Sequence, residues 1–119
     1  MTIYPGMKTR PLSWLRAARK DFERFPEGAQ IEMARALTIV AEGGFPDLSK
    51  PLKGIGSGVF ELALRFRGDA FRVVYAVQIG DDVWVLHAFQ KKSKVGIKTP
   101  KADIDLIHER LKRLKEALP

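Results

Sequence analysis

The sequence predicts an α+β fold: a helical hairpin, then a small antiparallel sheet, then a C-terminal amphipathic helix. Three observations predict it. Apolar residues recur at spacings of three and four over 14–42, alternate with polar or small ones over 59–90, and return to three and four over 100–118. With 119 residues there is room for one core and no separate cofactor-binding module, so residues 1–119 are expected to form a single domain.

In chain order, residues 8–15 (KTRPLSWL) suit a short strand, which Pro11 confines to an edge or an end because proline cannot donate to a ladder. From Trp14 the pattern is helical. Leu15, Ala18, Phe22 and Phe25 share one face, and Pro26 and Gly28 break the run. A second helix is expected over 27–42, with Ile31, Ala34, Leu37 and Ala41 on its buried stripe, Val40 beside it and Gly43-Gly44 as its stop. Two helices joined by so tight a break read as an antiparallel hairpin. Residues 45–58, rich in Gly, Pro and Ser, read as a loop.

Strands are expected at Val59–Phe66, 71–79 and 83–90. In the first, Phe60, Leu62, Leu64 and Phe66 alternate with Glu61, Ala63 and Arg65. In the second, Phe71, Val73, Tyr75 and Val77 alternate with Arg72, Val74, Ala76 and Gln78. Gly68-Asp69 and Gly80-Asp81-Asp82 supply turn chemistry, so the three strands read as a meander. Alternation gives each strand a core face and a more polar or smaller one. Thr99 reads as an N-cap with Pro100 at the first helical position, and Ile104, Ile107, Leu111, Leu114 and Leu118 form the stripe of the last helix.

Charge narrows the function. Twenty-one Lys and Arg against fourteen Asp and Glu give +7 and a pI near 9.9. Phosphate backbones attract such an excess through Coulomb attraction and counterion release, which favours a nucleic-acid partner over a basic protein without one. The absence of cysteine removes disulfides, thiolate nucleophiles and cysteine-ligated zinc. His87 and His108 are the only histidines and belong to different elements, so neither a metal site nor a cofactor is expected. GIGSG at 54–58 precedes a strand, where a dinucleotide fingerprint precedes a helix. No run approaches the ~20 apolar residues of a membrane span, and residues 1–11 lack a signal-type apolar stretch. A cytoplasmic protein with no membrane partner is expected.

What remains is a set of cations around the sheet. Arg65 and Arg72 fall on the non-core face of adjacent strands, Lys53 leads into the first strand, and Lys91, Lys92 and Lys94 leave the third. Glu61 shares a side with Arg65, and His87 lies near the end of the third strand. Each has an ordinary reading beside the chemical one. A lysine run is usually solvated, and a surface Arg65–Glu61 pair contributes under ~1 kcal/mol. His87, alternating with Val83, Val85 and Phe89, suits a half-buried packing residue as well as a base.

The run KPLKGIGSGVFELALRFRGDAFRVVYAV resembles the loop–hairpin core of the HigB-type, phage-derived branch of the RelE/ParE toxin superfamily. LHAFQKKSKVGIKTPKADIDLIHERLKRL is similar to that branch's C-terminal signature, in which HAFQKKS and TPxxDI recur, and the opening PLSWLRAARKDFERFP also resembles it. The resemblance implies a RelE-like, microbial-RNase-like fold that cleaves messenger RNA in the ribosomal decoding site. It implies a cognate antitoxin, often of helix-turn-helix type, that binds and silences the toxin. The family's arginine corresponds to Arg72 and its post-strand cation to Lys91 or Lys92. Two strand lysines of the best-known RelE branch correspond to Glu61 and Ala63, and no tyrosine follows the third strand, so another group must act as base.

In such cleavage the ribose 2′-OH attacks its own phosphate without a metal, leaving a 2′,3′-cyclic phosphate and a 5′-OH. The reaction needs a base, an acid and cations aimed at the phosphorane. On this reading Arg72, helped by Arg65 and Lys92, opposes the developing charge, and His87 or Glu61 takes the proton. Lys53, Arg65, Lys91 and Lys94 bind RNA. Two other functions compete on the same fold, a gyrase poison and a non-catalytic basic module, since fold alone does not fix activity.

Overall fold

The computed structural model describes residues 9–91 and 98–118. Its elements are β1 (Leu12–Trp14), α1 (Arg16–Phe22), α2 (Glu27–Ala41), β2 (Ser49–Pro51), β3 (Val59–Phe66), β4 (Asp69–Ile79), β5 (Asp82–Lys91) and α3 (Lys101–Ala117). The strands make one sheet in the order β1-β5-β4-β3-β2, antiparallel except where β1 runs parallel to β5. The α+β class, the meander of β3, β4 and β5 and the C-terminal helix agree with the spacings that predict them. The strand expected over 8–15 is the edge strand β1. β2 lies inside the segment that reads as a loop and forms the other edge.

Local chemistry sets the turns. Arg67 and Gly68 have φ of 52° and 85°, the geometry of a type I′ turn, whose twist suits a two-residue hairpin closed by the Phe66–Asp69 pair. Gly80-Asp81 closes β4 onto β5, and Arg10 Nη2 donates to the carbonyls of Val77 and Asp82 at 2.6 and 2.9 Å, pinning that turn. α1 ends at Phe22, short of Phe25. There Gln30 Nε2 donates to the carbonyls of Glu23 and Phe25 at 3.1 and 2.8 Å, satisfying groups that a helix end leaves open. Phe25 still packs, its ring 4.8 Å from that of Phe71. Gly28 is not a breaker but the second residue of α2, where an added Cβ would sit 2.3 Å from Phe66 Cζ.

Helices cover both faces of the sheet. On one, α1 and α2 bury Ala18, Phe22, Met33, Leu37 and Val40 against Leu62, Val73, Tyr75, Val83 and Val85. On the other, Ile107, Leu111 and Leu114 of α3 pack with Val59, Val74, Ala76 and Leu86. The face expected to be polar is therefore a second core. The buried stripe of α2 also differs from the expected one. Ala29, Met33, Ala36, Leu37, Val40 and Ala41 are buried, whereas Ile31 is 46% exposed and Ala34 is exposed. The small Ala29 and Ala36 let the helix lie close to the sheet, and that shape outweighs the apolar area of Ile31. Among the described residues no helix is long and apolar enough to cross a membrane.

One irregularity positions the site. Val74 pairs with His87 but Tyr75 with Val85, so Leu86 is an extra residue, a β-bulge. Leu86 and His87 both serve the α3 side, while Val83 and Val85 lie under α1 and α2. The expected alternation of His87 with Val83 and Val85 is broken by that bulge.

Candidate functional site

Register lines up the polar groups on the α3 face. Lys50 of β2 stands opposite Glu61 of β3, Glu61 opposite Val74 of β4, and Val74 opposite His87 of β5. The next row holds Ala63, Arg72 and Phe89, and the one after it Arg65, Ala70 and Lys91. Residues two apart along a strand share a face. Glu61, Arg65, Arg72 and Lys91 consequently gather at the end of the sheet where α3 begins.

Glu61 is the hub. Its side chain is 3% exposed, its Oε1 accepts from Arg72 Nη1 at 2.8 Å and lies 3.3 Å from Lys50 Nζ, and its Oε2 accepts from Thr99 Oγ1 at 2.6 Å. A carboxylate taken out of water costs several kcal/mol unless it is paired and hydrogen-bonded in this way. Thr99 does not cap α3. The N-cap position is Pro100 and no side chain caps the helix, because the threonine hydroxyl is committed to Glu61. The carboxylate's ion pairs run to β4 and β2 and not along its own strand to Arg65, which is exposed further on.

Lys91 is buried at the end of β5 beside this hub. Desolvation pushes its ammonium below the ordinary lysine value, Arg72 and Lys50 push the same way, and Glu61 opposes them. Lys53 is exposed on the loop between β2 and β3. Lys92 and Lys94 lie outside the described residues.

His87 stands apart from the hub, two strands away from Glu61 or about 10 Å at ordinary strand spacing. Its Nδ1 is 3.1 Å from Arg110 Nη1, which also donates to the Leu86 carbonyl at 2.9 Å, and its Nε2 is 2.7 Å from Asp103 Oδ1. A guanidinium only donates, so Nδ1 accepts and Nε2–H donates to Asp103. Burial lowers the pKa of the ring most, Asp103 raises it and Arg110 lowers it. The imidazole ties β5 to α3 with both nitrogens engaged. Among the described residues, no group of three or more His, Cys, Asp and Glu could hold a metal ion.

Four contributors escape the sequence reading. Lys50 reaches Glu61 only through the pairing of a three-residue strand, and Thr99 only because α3 folds back over the sheet. Asp103 and Arg110 meet His87 from one helix, seven residues apart on one side. For Lys50 the signal was its place as one of the two lysines, with Lys53, of the 45–58 segment.

This architecture defines a RelE-like fold. The chain is similar to a double arginine-to-alanine mutant of the E. coli toxin RelE in the free state, with a TM-score of 0.62 at 19% identity, covering 89% of this chain and 98% of that one. It is also similar to the isolated E. coli RelE toxin, with a TM-score of 0.55 at 18% identity, covering 88% and 98%. The family model described as phage-derived protein Gp49-like (DUF891) matches residues 20–112. The chain belongs to the phage-derived Gp49-like family. No curated protein matches its sequence.

Proposed function

We propose that this protein is the toxin of a type II toxin–antitoxin pair, of the HigB-type branch of the RelE/ParE superfamily, acting in the cytoplasm. It cleaves messenger RNA on the ribosome without a metal and is silenced by a cognate antitoxin, of helix-turn-helix type. The observation that carries this reading is the cluster of Arg72, Lys50 and Lys91 around a buried Glu61, with Arg65 exposed further along the same face of a RelE-like sheet. A net charge of +7 supports an RNA partner.

The chemistry distributes over these groups. The ribose O2′ attacks the adjacent phosphorus, the P–O5′ bond breaks, and the products are a 2′,3′-cyclic phosphate and a 5′-OH. Glu61, the carboxylate among the cations, takes the 2′-OH proton. Lys91, made more acidic by desolvation and neighbouring cations, gives a proton to O5′. Arg72 holds Glu61 and, with Arg65 and Lys50, offsets phosphorane charge. Lys92 adds a further cation, and Lys53 and Lys94 bind the RNA strand. His87, the other candidate base, has both nitrogens engaged and acts in this scheme by positioning β5 against α3.

The test is cleavage of a message held in the decoding site of purified ribosomes, with the product ends identified. Cyclic phosphate and 5′-OH ends that disappear with Glu61→Gln and with Lys91→Ala support the scheme. Cleavage that survives Glu61→Gln puts the base elsewhere, His87→Ala being the next variant. The three partners already held by Glu61 favour one second reading, a non-catalytic basic module that binds RNA and antitoxin. That protein binds ribosomes and cuts nothing.

A further inference from the structure

Beside the hub, a cleft of about 540 Å³ runs between the β2–β3 connection and the start of α3. Lys50 and Lys53 line one side and Lys98 and Thr99 the other, with Pro51 and Ile104 as apolar surfaces and Glu61 at the bottom. Three cations against one carboxylate leave it positive, and it shares Lys50, Glu61 and Thr99 with the hub.

The cleft is built and held. Leu52 and Ile55 are buried in the core beneath α3, and Leu52 N–H donates to the Val59 carbonyl at 3.0 Å. His108 Nε2 of α3 donates to the Gly54 carbonyl at 2.9 Å, clamping the connection that carries Lys53 to the helix. These contacts tie the β2–β3 connection to α3, and groups already held in place cost less entropy to bind a ligand.

We propose that this cleft is a subsite for one nucleotide of single-stranded RNA next to the bond that is cut. Lys53 and Lys98 take the phosphate and the apolar surfaces of Pro51 and Ile104 take the base. The inference rests on the ribonuclease reading and adds to it the place where the strand lies. Among the described residues no aromatic ring lines the cleft, so the base is held by apolar contact. Cations placed on both sides of a slot this size suit a strand that threads through it. An acidic protein segment would need only a positive surface.

Binding of a short fluorescein-labelled RNA, made uncleavable by 2′-deoxy substitution, tests this by anisotropy over a salt series. Each phosphate contact to a single strand adds about 0.7 to the slope of log K against log salt. Lys53→Ala with Lys98→Ala should therefore flatten the slope by about 0.7, the share of the one phosphate they hold, while Lys20→Ala with Arg24→Ala on the other face leaves it unchanged. In ribosome cleavage the same pair should raise KM with little change in kcat. A slope that does not move overturns the subsite, and cleavage by the wild type then leaves the ribonuclease reading standing. A flattened slope with no cleavage by the wild type upholds the subsite and sinks the catalytic reading. A glutamate-rich peptide that needs Lys53 and Lys98 where RNA does not would overturn it in favour of a protein partner.

Discussion

Removing Arg72 should destabilise the fold by a predictable amount. The Arg72–Glu61 pair is 2.8 Å long, with the two side chains 7% and 3% exposed. Breaking a buried pair from one side costs ~3–5 kcal/mol, because the charge left behind keeps its desolvation penalty. In Arg72→Ala, Lys50 and Thr99 remain on the carboxylate, which puts the loss at the lower end, about 3 kcal/mol. For a domain of this length that is roughly 10 °C in Tm. Glu61→Leu should cost at least as much, since Arg72 then faces Lys50 and Lys91 without the carboxylate between them. Glu61→Leu combined with Arg72→Met removes both charges and should recover most of the loss, giving a coupling of about 2–3 kcal/mol in a double-mutant cycle measured by urea unfolding. Single variants that each cost under ~1 kcal/mol and simply add would refute the view that Glu61 is the hub. The result also governs any growth assay, because a silent Arg72→Ala carries meaning only at a temperature where it is folded.

Three smaller predictions concern contacts between the sheet and the elements packed on it. His87 is held below its ordinary pKa of 6.5, chiefly by burial. The unfolded chain then binds a proton that the folded chain refuses, so stability falls as pH drops below about 6.5 and levels off below the folded value. Tm should drop more between pH about 8 and about 5 in the wild type than in His87→Leu, and equal drops would clear the ring of responsibility. Gly28→Ala, which on helix propensity alone would gain about 1 kcal/mol, should instead destabilise by about that amount because its methyl meets the Phe66 ring; a rise in Tm would contradict this. Tyr75→Phe should cost about 1–2 kcal/mol in urea unfolding by stranding the buried Ser49 hydroxyl, and Ser49→Ala in the same chain should return part of it. No recovery would mean that the hydroxyl pair is not what holds β2 to β4.

The elements that were legible in the sequence are those whose period is sustained. β3 matches Val59–Phe66 residue for residue, and α3 differs from the expected 100–118 by one residue at each end. β2 is only three residues long, too short to show alternation. α2 carries apolar residues on two sides, so its periodicity admits a stripe through Ile31 as readily as the one through Met33 that packing selects. The bulge at Leu86 shifts the phase of β5 with no glycine or proline to mark it. In the site, Arg72 and Glu61 were legible because alternation places them on one face, whereas Lys91 reads as leaving the third strand and reaches that face only through the bulge and the extra residue of β5. The pairing of Glu61 with Arg72 and Lys50 was not, since it depends on strand register, and the role of Thr99 depends on where α3 returns.

The central claim is ribosome-dependent cleavage of messenger RNA, and inducible expression followed by primer extension on a translated message tests it most directly. The account predicts growth arrest with cuts in the reading frame, loss of those cuts when the start codon is removed, and loss again with Glu61→Gln at full protein level. Arrest without cuts would contradict it and point to gyrase or another target. No arrest and no cuts would leave a protein that binds without catalysis.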